Sequence, residues 1–212
     1  MTVDKKDLII IEKTKELEII SEFLAKRRLF FEYPRQGYGG YDESHISKIK
    51  SGILGELAFF EYIYSWLEEQ YGSLDSKQRW KILHKKVGFS YLLVLGKFDG
   101  GHEFEIGVKD PILIDIKTYE ENKVSVSQIF NGLKDDKKNP RPLNLFVDKT
   151  QNAKADIYVQ TFILKNGNIV LAGFNQGLPP IKNWMPKPAH TKPVPNLQPM
   201  NNLKNLIIDR ME

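Results

Sequence analysis

The chain has 212 residues, 41% of them hydrophobic and 27% charged, with a formal net charge of +4 and no cysteine. That length suits one domain, or one domain with an appendage, and can bury a sizeable core. The lack of cysteine excludes disulfides and thiolate metal sites, and the modest positive charge permits nucleic-acid binding without arguing for it.

No apolar run reaches the roughly 18 residues of a membrane span. The run Leu8 to Ile11 is short and is followed at once by Glu12 and Lys13, which is not a signal-peptide pattern. A cytoplasmic protein with no membrane contact is expected.

Residues 4 to 30 read as one helix, because Leu8, Ile11, Leu17, Ile20, Phe23 and Leu24 recur at helical spacings. It ends in Lys26, Arg27 and Arg28, cations that suit a helix C-terminus. Residues 31 to 45 form a loop marked by Pro34, Gly37, Gly39 and Gly40. Tyr33, Tyr38 and Tyr41 interleave there with Arg35, and Lys48 and Lys50 follow. Aromatic and basic side chains on such a loop are candidate nucleic-acid contacts, by stacking and phosphate pairing. The plainer reading is a packed surface loop.

A second helix is expected over 44 to 70, with Ile53, Leu57, Phe60, Tyr64 and Leu67 as its buried stripe. Glu56 intrudes on the flank of that stripe. A carboxylate against apolar surface needs a partner, either a lysine or helix end, or a metal ion. Beyond a linker with Gly72, Ser73 and Asp75, the apolar run Tyr91 to Leu95 reads as a buried strand. His84, among Lys81, Lys85 and Lys86, reads as a surface residue or phosphate contact.

The informative stretch is 99 to 118. Glu103, Glu105 and Gly107 alternate with Phe104, Ile106 and Val108, the period of a strand with one buried face. Lys109-Asp110-Pro111 interrupts as a turn. Ile112 to Lys117 then forms a second strand, with Asp115 and Lys117 on one face and Ile114 and Ile116 on the other. Paired as a hairpin, one face carries Glu103, Glu105, Asp115 and Lys117. Three carboxylates and an ammonium make a poor core and a good seat for a divalent ion beside a phosphate. The alternative is a solvated outer face.

After the hairpin, Val124 to Leu133 reads equally as a short helix or a strand. Leu143 to Val147 and Ala155 to Leu164 read as strands, the latter placing Gln160 as a candidate neighbour of the acidic face. Asn166-Gly167 marks a turn into a further strand, 168 to 174, so 155 to 174 is a second hairpin. Seven of the eleven prolines fall between 178 and 199, where an irregular arm is expected, and 201 to 211 closes as a short helix. The domain organisation is thus a single domain over 1–177, with a helical part (1–70) and a sheet core (90–174), then a proline-rich basic arm and short helix over 178–212.

Asp99-Gly100-Gly101-His102-Glu103-Phe104 followed by Ile114-Asp115-Ile116-Lys117-Thr118 resembles the hairpin of the PD-(D/E)XK nuclease superfamily. There an early acid is followed on the next strand by Asp or Glu, any residue, then Lys. Asp115 and Lys117 match the second half. The first acid is Glu103 if the Gly-Gly turn sets the register, Glu105 if the hairpin is tighter, and Asp99 if the loop is longer; Glu103 is favoured because it directly follows the turn. Gly55-Glu56-Leu57-Ala58 is similar to the helix segment that supplies a further glutamate in that superfamily.

The resemblance implies an α+β (α/β) fold, a central mixed β-sheet flanked by helices. It implies hydrolysis of DNA phosphodiesters with Mg2+ or Mn2+ held by Glu103 and Asp115, assisted by Glu56, with Lys117 beside the attacking water. A small chain of this kind is most like a type II restriction endonuclease, acting on double-stranded DNA as a homodimer. The other classes are a non-catalytic nucleic-acid-binding module on the same scaffold and an RNA-directed nuclease.

Overall fold

The computed structural model describes residues 2–31, 44–72, 75–91, 102–134, 138–148, 155–182 and 189–210. In chain order the elements are β1 (Ile9–Ile11), α1 (Lys15–Phe31), α2 (Ser44–Tyr71), α3 (Ser76–Lys81), β2 (Ser90–Tyr91), β3 (Phe104–Ile106), β4 (Ile112–Val124), α4 (Val126–Asn131), β5 (Asn144–Asp148), β6 (Ile157–Leu164), β7 (Ile169–Gln176), β8 (Ile181–Lys182), β9 (Ala189–Pro193) and α5 (Met200–Ile208). Six strands form one sheet in the order β1-β7-β6-β4-β3-β2, and β5-β9-β8 form another. In the larger sheet β4 and β6 run parallel, and the other neighbours are antiparallel. The fold is therefore α+β, a mixed sheet flanked by helices.

Period-two alternation sorts the central strands between two cores. Ile114, Ile116, Val159 and Leu171 pack with Leu17 and Leu24 of α1, Ile53 and Leu57 of α2, and Met200 and Leu203 of α5. Tyr158, Phe162, Val170 and Ala172 pack instead with Ile129 of α4, Leu145 and Val147 of β5, and Val194 and Leu197. Ile53, Phe59 and Ile63 of α2 are fully buried, each contributing roughly 1.5–3 kcal/mol from burial.

Two expectations change and one open stretch is settled. The helix expected over 4 to 30 is split: Ile9-Ile10-Ile11, a β-branched run, pairs antiparallel with β7 as an edge strand. Helix α1 then starts after Thr14, whose hydroxyl accepts the N–H of Leu17. The undecided stretch 124 to 133 holds helix α4, opened by a reciprocal cap between Ser125 and Gln128. The proline-rich stretch, expected to hold no regular core element, holds such elements in its described residues. It supplies β8 and β9 to the smaller sheet and buries Val194 and Leu197. Two of its prolines take positions a strand tolerates: Pro193 ends β9, and Pro180 precedes β8 while its carbonyl accepts the N–H of Thr191. The chain ends also close onto the same body, with Val3 N–H donating to Pro195 O and Tyr62 Oη to Met200 O.

Two glycines bring backbones close enough to place the hairpin. A methyl group at Gly55 would overlap the hydroxyl oxygens of Thr118 on β4 and Thr161 on β6, so only glycine lets α2 lie this near the sheet. Gly88 has φ +62 and abuts the backbone of Gly107, whose N–H donates to Val87 O at 2.9 Å. That contact lines β2 up beside β3.

Candidate active site

The β3–β4 hairpin forms with Phe104 across from Ile114. Glu103 lies just before β3, and its N–H donates at 3.0 Å to the carbonyl of Ile114, the residue paired with Phe104, so the chain leaves the regular ladder here. The Glu103 carboxyl turns inward, where its Oε2 accepts the N–H of Ile116 at 2.7 Å. Asp115 is 3% exposed, and its Oδ2 lies 2.7 Å from Lys117 Nζ. In the parallel β4–β6 ladder, Tyr158 stands beside Asp115 and Gln160 beside Lys117. Gln160 is buried and donates to the carbonyl of Thr161.

Electrostatics divides these groups. Burial pushes the Glu103 carboxyl well above the usual carboxylate range; the charges of Asp115 and Glu56 push it further, against the pull of Lys117 and the Ile116 N–H. Burial pulls the Lys117 ammonium down, but Asp115 and Glu103 more than offset it, leaving Lys117 a firmer cation than usual. The Tyr158 phenol is raised by burial and then by the Asp115 charge.

Glu56, also 3% exposed, meets Glu103 from the α2 side. Its partner is a guanidinium. Arg28 Nη1 and Nη2 donate to Oε1 and Oε2 at 2.7 and 2.8 Å, a bidentate fork. Tyr91 Oη donates to Oε2 at 2.7 Å. Burial, followed by the Glu56 charge, drives the Tyr91 phenol far up. The Tyr91 ring stacks on Phe104 with centroids 4.6 Å apart, so the residue after Glu103 also fixes this tyrosine.

The expected residues Glu56, Glu103, Asp115 and Lys117 thus come together. Glu105 turns to a different partner, His102, with Nε2 3.0 Å from its Oε1. Lys50 ties α2 to α1 through Glu22 and Glu18, at 3.3 and 3.7 Å, while Lys48 is exposed. Asp99, Tyr33, Arg35, Tyr38 and Tyr41 lie outside the described residues.

Arg28 and Tyr91 were missed from the sequence. Arg28 continues the buried series Leu17, Ser21 and Leu24 at helical spacing, a signal hidden by its place in a basic run at the helix end. Tyr91 opens an apolar run, and the only hint was that a buried tyrosine hydroxyl needs a partner.

The donor set suits a hard divalent ion held by two carboxylates. Glu103 and Asp115 bring carboxyl oxygens to one place, and magnesium commonly takes one or two carboxylates with water and phosphate for the rest. Among the described residues no group of three or more histidine and acidic side chains is arranged to hold a metal ion. Among the described residues no helix is long and apolar enough to cross a membrane. No family model matches the chain, and neither does any curated protein or solved structure.

Proposed function

We propose that this chain is a metal-dependent endonuclease that hydrolyses phosphodiester bonds of double-stranded DNA, of the PD-(D/E)XK kind and most like a type II restriction enzyme. The observation that carries the reading is the Glu103–Asp115–Lys117 group: a buried glutamate tied to the Ile116 N–H between Asp115 and Lys117, close enough to feel both charges, with the Lys117 ammonium 2.7 Å from Asp115. A structural ion pair needs one acid; the second acid raises the cost of the group unless a cation joins it.

Glu103 and Asp115 would hold Mg2+ or Mn2+, which when bound lowers the pKa of a water and withdraws charge from a phosphate oxygen. Lys117, kept protonated by its acidic neighbours, donates to the attacking water and offsets charge building on the phosphate. Its firm positive charge argues for orienting the water over removing its proton. Glu56 acts through position. Clamped by Arg28 and Tyr91, it fixes α2 against the hairpin and adds negative potential where the ion sits. Cytoplasmic action on DNA, with a second copy to cut the second strand, completes the proposal.

The test is incubation with plasmid DNA and Mg2+ or Mn2+. Wild type is expected to nick or linearise it, and Asp115→Ala and Lys117→Ala each to slow cleavage by about 10²–10³-fold or more. Cleavage that survives both substitutions removes the assignment. Intact DNA with every divalent metal, but retained binding, replaces the nuclease with a binding module.

A further inference from the structure

Helix α1 has two apolar faces where a surface helix ordinarily has one. Leu17, Leu24, Ala25 and Leu29 are buried against the body of the protein. On the outward side Ile19, Ile20 and Phe23 are 59%, 44% and 60% exposed. A single exposed isoleucine is unremarkable in a soluble protein, but three on adjoining turns of one helix make a patch. Glu16 and Arg27, both exposed, bound the patch at its two ends, and the Arg27 guanidinium lies 5.9 Å from the Phe23 ring centroid.

The order of these residues selects the occupant. Glu16, Ile20, Phe23 and Arg27 are spaced four, three and four apart, the same pattern read in either direction. Laid antiparallel on a second copy about a two-fold axis, Ile20 meets Phe23 of that copy and Glu16 meets Arg27, and each contact occurs twice. A parallel pairing would set Glu16 against Glu16 and Arg27 against Arg27, which is repulsive. A membrane surface would favour cations along the rim, whereas Glu12, Glu16 and Glu22 stand beside Lys15 and Lys26 here.

We infer that the outer face of α1 is a dimer seam, occupied by the same face of a second copy in antiparallel register. The seam is a few helical turns of one helix against its copy, short of the roughly 1,200 Å² buried in stable complexes. The dimer is therefore dissociable, with Kd on the order of micromolar or weaker. The pairing deepens the homodimer part of the proposed function. Arg28 follows Arg27 directly and reaches inward to Glu56, so the two copies of Arg28 stand about 20 Å apart along the seam, each beside its own site.

Sedimentation equilibrium of the full chain, from about 1 to 300 μM, reads the inference as mass, so it fails or succeeds separately from nuclease activity. Wild type is expected to pass from monomer to dimer across that range, and Phe23→Glu to stay monomeric. Glu16→Arg alone and Arg27→Glu alone are each expected to dimerise about tenfold more weakly. Mixed one to one, they are expected to regain wild-type association as a heterodimer, because each supplies the sign the other lacks. All of these side chains are exposed, and circular dichroism checks that each variant is folded. A wild type that stays monomeric, a Phe23→Glu variant that dimerises as wild type does, or a mixture no tighter than its components overturns the seam.

Discussion

Glu56 and Glu103 point carboxylates at the same interior region, one from α2 and one from the entry to β3, and their surroundings differ in kind. Glu56 receives three short hydrogen bonds from two side chains, one of them a full positive charge. Glu103 receives one backbone N–H and faces the charges of Asp115 and Glu56, with Lys117 already engaged by Asp115. The first carboxylate finds its hydrogen-bond donors, one of them cationic, within the protein itself. The second is held where burial and two neighbouring acids disfavour its charge, a cost that a bound cation would offset under the proposed function. Residue type does not separate a structural acid from a ligand; the supply of donors around it does.

The comparison breaks most readily at Arg28. Arg28→Leu would strand the Glu56 charge beneath a single tyrosine hydroxyl, and a loss of about 3–5 kcal/mol in urea unfolding is expected. Adding Glu56→Gln should recover part of that loss, since the two side chains are in contact and their effects are not additive. A cost below about 1 kcal/mol for Arg28→Leu would mean that the fork is not what sustains Glu56.

Gly55→Ala tests the placement of Glu56 by backbone approach. The added methyl meets the Thr118 and Thr161 hydroxyls, so about 1–3 kcal/mol should be lost. Thr118→Ala in the same chain would relieve part of it. Tyr91→Phe removes one donor of three from Glu56 while the ring stack on Phe104 remains, and about 1 kcal/mol is expected in thermal unfolding.

Glu103→Gln should move the other way. The folded carboxyl titrates above its ordinary 4.5, so the wild-type fold has its full stability below that pH and loses some as pH rises through the folded value. The glutamine variant lacks this loss. Metal-free Glu103→Gln should therefore melt higher than wild type at neutral pH, with the difference closing under acid. A lower melting temperature at neutral pH would show that Glu103 is a satisfied structural acid like Glu56.

Much of the site was legible in residues 103 to 117 because a strand encodes its faces at period two. Given a Pro111 turn, Lys117 had to share the Asp115 face, while the acid opposite was open among Asp99, Glu103 and Glu105, with Glu103 favoured. Glu56 was legible as an acid on an apolar flank. Its partners were not, because Arg28 comes from a helix 28 residues earlier and Tyr91 from a two-residue edge strand, and no local period links them. The misread elements share a cause. Ile9 to Ile11 fits a helical spacing with Leu17 yet is bound by the free edge of β7, and Pro180 and Pro193 stand at strand ends of the smaller sheet. In both cases a distant strand overrode a local pattern.

Titration with Mn2+, followed by the loss of its free-ion electron paramagnetic resonance signal, bears most directly on the two glutamates. Wild type, Asp115→Asn and Glu56→Gln would be compared at neutral pH. The expected result is a site in wild type that survives in Glu56→Gln and weakens by at least about tenfold in Asp115→Asn. Loss of binding in Glu56→Gln equal to that in Asp115→Asn, or no difference between wild type and Asp115→Asn, would contradict the division of labour between the two carboxylates.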